Sequence, residues 1–162
     1  MISSCPLITP GIDFQLSLLE KNRSRMLEII QDLSLENLLF IPKGFRNNLL
    51  WNLGHVLVSQ QILCYGKSET PLHIPAYFVA LFGKGTHPGQ WGGKMEVEEL
   101  KTWLVETSRL LRSDLEKDRF GKMQPYETSM GLRLSNINDT LAYVVWHEGL
   151  HFGTMLAMRK LI

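Results

Sequence analysis

Two cysteines, Cys5 and Cys64, are all the chain has, far apart and not in a C-x-x-C, which fits a reducing compartment better than a disulfide scaffold. Charge of one sign is also missing. Lysine and arginine total 17 against 16 aspartates and glutamates, a net +1 without a basic stripe, which argues against a nucleic-acid partner. No long apolar run is present either: Leu49 to Val58 is interrupted by Asn52 and His55, well short of the ~20 apolar residues that span a bilayer. The opening MISSCPLITPG lacks a basic head followed by an apolar segment, so no secretory signal is expected and the cytoplasm is the expected location. What is there is ordinary globular composition, 44% apolar and 20% charged over 162 residues, and a single domain over 1–162 is expected.

Four segments carry helical periodicity, so the expected fold is all-α, a four-helix bundle with a long crossover loop between the second and third helices. The first, from about Ile12 to Leu33, aligns Ile12, Leu16, Leu19, Met26, Ile30 and Leu33, with Pro10 suited to a first turn after Thr9. Lys21, Arg23 and Arg25 are read as lying off that stripe. The second, Asn47 to about Tyr65, is apolar around most of its circumference; Asn47 is its expected cap, Gly66 its stop, and it should be the most buried helix. The third runs from about Glu96 to Lys117 with acidic residues at its start, and the fourth from Asn136 to Leu161, ending in Arg159 and Lys160 to match the helix dipole. Prolines and glycines break up the crossover, Gly66 to Lys94, apart from a short helix expected at Ala76 to Phe82.

The chemistry-bearing constellation is on the fourth helix, where His147, Glu148, Gly149, Leu150 and His151 read H-E-x-x-H. Residues four apart project from consecutive turns, so the two imidazoles can grip one ion. Zinc proteases with this pattern take a third ligand downstream, but Phe152 to Ile162 contains no His, Asp or Glu, so that class is disfavoured. A di-iron site would need a second E-x-x-H, and the residues three before the remaining histidines are Asn52, Thr70 and Lys84. The third ligand must then come from an earlier helix, and His55 is the natural candidate, with Asn48, Asn52 and Ser59 on one side and Trp51, Val58 and Ile62 on the other. That polar strip either faces water or lines a cavity.

Glu148 falls inside the apolar arc of its helix, and a buried carboxylate needs a cation, a metal or a proton beside it. Periodicity leaves three readings open: a metal site of His55, His147 and His151, a core salt bridge from Glu148 to an Arg or Lys, or a helix rotated to expose all three. His73 and His87 belong to the crossover, and Tyr143, one turn before His147, can edge a pocket. Gly83-Lys84-Gly85-Thr86 lacks phosphate-loop spacing and reads as a solvent loop near the site mouth.

The run LSLENLLFIPKGFRNNLLWNLGHVLVSQQ, with His55 in an apolar helix, and the closing HEGLHFGTMLAMRKLI, Gly153 included, resemble the two ends of the DinB-like proteins across nearly the whole chain. The resemblance implies a four-helix bundle holding a divalent metal, zinc or nickel, through His55, His147 and His151, in a protein that forms a homodimer. Relatives with assigned chemistry are transferases of low-molecular-weight thiols and thiol-dependent isomerases. The expectation is therefore a metal-dependent enzyme acting on a small-molecule substrate, by activating water or a low-molecular-weight thiol. Glu148 is its expected proton shuttle or second-layer partner. The competing expectation is a non-catalytic bundle in which the ion is structural or the protein senses or binds a partner.

Overall fold

Thr9 begins the first helix by accepting a hydrogen bond from the Ile12 amide at 3.4 Å, and Pro10 occupies the first turn, where its missing N–H costs nothing. The computed structural model describes residues 8–91 and 96–162. Cys5 and the crossover residues Gly92, Gly93 and Lys94 lie outside them. Six α-helices follow in order: α1 (Pro10–Ile30), α2 (Leu35–Leu39), α3 (Leu49–Gln60), α4 (Ala76–Phe82), α5 (Val97–Glu116) and α6 (Ile137–Arg159). The only strands among the described residues, β1 (Tyr126–Glu127) and β2 (Arg133–Leu134), form a short antiparallel hairpin. The chain is thus predominantly helical, and none of its described helices is long and apolar enough to cross a membrane.

Helix α3 is the central element: of its residues only Ser59 escapes burial. It lies against α4, α5 and α6, while α1 runs along α5 and α6. One core cluster gathers Leu53, Leu57, Phe78, Phe82, Leu104 and Met155; a second joins Leu16, Leu19, Tyr65, Leu111, Leu141 and Val144. Cys64 is fully buried in the second, and desolvation pushes its thiol up to about 12, so it behaves as a packing residue.

Several boundaries differ from expectation for local reasons. Asn48, not Asn47, caps α3: its Oδ1 accepts from the Trp51 amide at 2.8 Å while its Nδ2 donates to the Leu39 carbonyl at 3.1 Å, which ties α2 to α3. Gly66 does not stop the second helix. After Gln60 the backbone passes through a wide π turn at Gln61–Tyr65 and a tight turn at Gly66–Ser68, ending where Glu69 takes φ 56°. Helix α1 stops at Ile30, leaving Leu33 beyond it.

The principal correction concerns Arg23, expected off the apolar stripe and found only 1% exposed. Leu16, Leu19, Arg23, Met26 and Ile30 follow alternating steps of three and four, so Arg23 occupies a core position that its charge had disguised.

Gly54 fixes how closely α4 approaches α3, because a Cβ there would lie 2.2 Å from the Phe82 ring. Gly54→Ala should displace Phe82 and destabilise the protein by about 1–3 kcal/mol, read as a lower urea midpoint. A midpoint equal to that of the parent would show that the interface yields freely.

Candidate metal centre

His55 lies in the middle of α3, and His147 and His151 stand one turn apart on α6, so the centre straddles the α3–α6 contact. Ring centroids are 5.3 Å apart for His55 and His147, 4.9 Å for His55 and His151, and 4.7 Å for His147 and His151. One nitrogen from each ring lies within 4.8 Å of the others. The structure thus brings together the three histidines that the sequence nominated. His73 and His87 are elsewhere: His73 pairs with Asp114 at 2.8 Å, and His87 caps a short turn by accepting from the Gly89 amide.

Neighbours fix the tautomers of two rings. His55 Nδ1–H donates to the Phe82 carbonyl at 2.8 Å, which can only accept, leaving Nε2 with its lone pair. His151 Nδ1 lies 2.7 Å from Asn52 Oδ1. Asn52 is itself oriented, because its Nδ2 donates to the Asn48 carbonyl at 2.7 Å, so its oxygen must face His151 and accept from it. Of the polar strip of α3, Asn48 and Asn52 are buried and do not face water, while Ser59 is half-buried. Trp51 stacks on His55 at 4.4 Å with the planes 11° apart, and Tyr143 lies nearly parallel to His147 at 6.0 Å.

Burial lowers the pKa of all three histidines, and their mutual repulsion adds to this for the α6 pair. His147 falls to about 4 and His151 to about 3, while the hydrogen bond to Phe82 partly offsets the fall at His55. The rings are neutral at pH 7, the form in which imidazole binds metals. Three neutral nitrogen donors within reach of one point, two with Nδ1 committed elsewhere, fit a divalent cation. Among the described residues no cysteine, aspartate or glutamate joins the group, so a bound ion would keep open positions.

A cleft of about 250 Å³ opens beside His55 and His147, with Ser59, Lys84, Tyr126, Ser129 and Tyr143 in its walls. Tyr143 edges it as its position on α6 suggested. Tyr126 and Ser129 arrive on the β1–β2 hairpin, whose strands of two residues each are too short to show a period in sequence.

Glu148 is fully buried, and both its oxygens are held by Arg23: Nη2 at 2.7 Å and Nε at 3.1 Å from Oε1, and Nε at 3.3 Å from Oε2. The remaining guanidinium nitrogen donates to the Leu104 carbonyl and Thr107 Oγ1, each at 2.8 Å. Burial pushes the Glu148 pKa upward, and Arg23 opposes it by charge and hydrogen bond. The carboxylate is thus engaged in a core salt bridge to Arg23 of α1, which in turn reaches α5.

The family profile described as the DinB superfamily matches residues 18–155. No curated protein matches the chain. Among solved structures, a crystal structure described as a conserved protein of a locus from Enterococcus faecalis superposes with a TM-score of 0.66 at 11% identity, covering 96% of this chain and 98% of that one. At that identity the likeness is one of fold.

Replacing Glu148 by Gln should leave Arg23 charged and unpaired in the core, costing about 3–5 kcal/mol in a denaturant titration. The metal-free protein should respond to acid with a definite sign. Its histidines have folded pKa values below the unfolded value, so stability is fully present above about pH 6.5 and is lost as pH falls through the His147 value of about 4. Urea midpoints measured from pH 7.5 to 4.5 should fall, and fall less steeply in His151→Ala; parallel profiles would contradict the assignment.

Proposed function

The chain belongs to the DinB superfamily, and on that premise we propose that it is a divalent-metal-dependent enzyme acting on a small electrophilic molecule, with His55, His147 and His151 as the metal ligands. The observation that carries this reading is the convergence of three neutral imidazoles on one point beside a cleft. The arrangement is read as a single-domain four-helix bundle of α1, α3, α5 and α6, with the segment between α3 and α5 as its crossover. A homodimer in the cytoplasm completes the proposal.

A bound zinc or nickel ion would supply acidification, bringing the pKa of water toward ~7 or holding a thiol as thiolate, so that a nucleophile exists at neutral pH. The chain's residues do the remainder. Asn52 and the Phe82 carbonyl hold the His151 and His55 rings through Nδ1, as second-layer partners do around metals, while His55 Nε2 accepts from Ser59 Oγ at 3.3 Å, a hydrogen bond that a bound ion would displace. Trp51 covers one face of His55, and Tyr143 lies beside His147. The cleft limits the substrate to a small molecule. Glu148 serves by holding α6 in place through Arg23 rather than by moving a proton.

A closed structural ion is the weaker reading, because it would want a fourth protein ligand and none joins the three among the described residues. Whether water or a low-molecular-weight thiol is the nucleophile is decided by assay, turnover of an electrophilic probe being compared with and without added thiol.

Purified protein should hold about one divalent ion per chain, read by inductively coupled plasma analysis, and lose it in both His55→Ala and His147→Ala. Asn52→Leu should keep the ligands but weaken metal affinity about 10–100-fold. Full metal retention in the two histidine variants would defeat the proposal.

A further inference from the structure

The Gly83-Lys84-Gly85-Thr86 segment is built into the wall of the histidine centre. Gly83 is required by close approach, since a Cβ there would lie 2.6 Å from the Val79 carbonyl. Gly85 takes φ +90°, and the Thr86 amide donates to the Gly83 carbonyl at 3.1 Å, closing a tight turn with Lys84 at its second position. Thr86 Oγ1 accepts from Trp51 Nε1 at 2.9 Å, and that indole is the one stacked on His55. Two residues before Lys84, the Phe82 carbonyl holds His55 Nδ1. The backbone of Lys84 is therefore pinned to the same histidine from both sides of the turn.

Lys84 is the cationic side chain in the walls of the cleft beside His55 and His147, and no carboxylate lines that cleft. Among the described residues it makes no ion pair, a state it shares with Lys21, Lys67 and Lys122, none of which lines the cleft. The turn fixes where Lys84 leaves the backbone, its side chain is exposed at the rim of the cleft, and an uncompensated positive charge there draws anions toward the opening.

We propose that Lys84 is a specificity-determining residue, gripping an anionic oxygen group, a carboxylate or a tetrahedral oxyanion, at one end of a small substrate whose other end reaches the histidine centre. Ser59 and Ser129 offer hydroxyls and Tyr126 and Tyr143 offer ring faces along the same walls, which suits a short organic body between the two ends. The inference rests on the metal reading above and adds the charge of the ligand to it.

The test uses cobalt-loaded protein and thiol probes followed by the thiolate-to-cobalt absorption band. The probes are 3-mercaptopropionate, 6-mercaptohexanoate and 2-mercaptoethanesulfonate against the neutral 2-mercaptoethanol and 3-mercaptopropionamide. At least one anionic thiol should bind about tenfold more tightly than its neutral counterparts, the size expected for one charge-assisted hydrogen bond. The preference should vanish in Lys84→Gln, turn into discrimination against anions in Lys84→Glu, and persist in Lys84→Arg, with neutral-thiol affinity unchanged in all three. A stronger preference for the carboxylates or for the sulfonate assigns the anion type. Equal affinities in the parent protein, or a preference that survives Lys84→Gln, would overturn the inference and leave the metal centre standing. Failure of the protein to take up cobalt would remove the metal reading and this inference with it.

Discussion

The Arg23–Glu148 ion pair sets the rotation of α6, and with it the direction of everything else on that helix. Two opposite charges, each almost wholly removed from water, are tolerable only in the geometry found: a guanidinium with two nitrogens on one carboxylate and its third on a carbonyl and a hydroxyl of α5. With Glu148 so committed, helix geometry leaves no choice for its neighbours. His147 precedes it by ~100° around the axis and His151 lies ~60° to the same side, so both turn toward α3. An ion pair between α1 and α6 thereby aims the imidazoles at His55.

On the α3 side the constraint is hydrogen-bond satisfaction. A helix this deeply buried cannot carry Asn48, Asn52 and His55 unless each polar atom finds a partner, and the partners form a chain. Leu39 and the Trp51 amide take up the side chain of Asn48, the Asn48 carbonyl holds Asn52, and Asn52 orients His151. A second chain runs from the α4 terminus through Phe82 to His55 and from Thr86 through Trp51 to the face of the same ring. The His55 and His151 rings are thus held in defined tautomers, and donors oriented in that way lower the entropy cost that binding an ion would carry.

These two supports meet in a centre that is open on one side. Tyr126 and Ser129 of the hairpin region, Lys84 of the turn and Tyr143 of α6 line the adjoining cleft, so three distant stretches of chain border the opening beside the histidines. A scaffold of this kind separates its duties: the helix contacts hold the ligands rigidly, while short connecting segments shape the opening and can vary independently of them.

The four long helices, the three histidines and the short α4 were legible in the sequence, because apolar periodicity and capping chemistry are local and H-E-x-x-H places its imidazoles by helix geometry alone, whereas the five-residue α2 is too short to show a period. The partner of Glu148 was not: an arginine in a helix looks solvent-facing until its step pattern is counted with the leucines around it. Nor could the chain by itself announce that the Asn52 amide orients His151, 99 residues away, or that Lys84 shares a wall with His147. Those relations depend on how helices rotate and turns fold back against one another. That is decided by the joint burial of charges and amides, a property of the packed assembly and of no single segment.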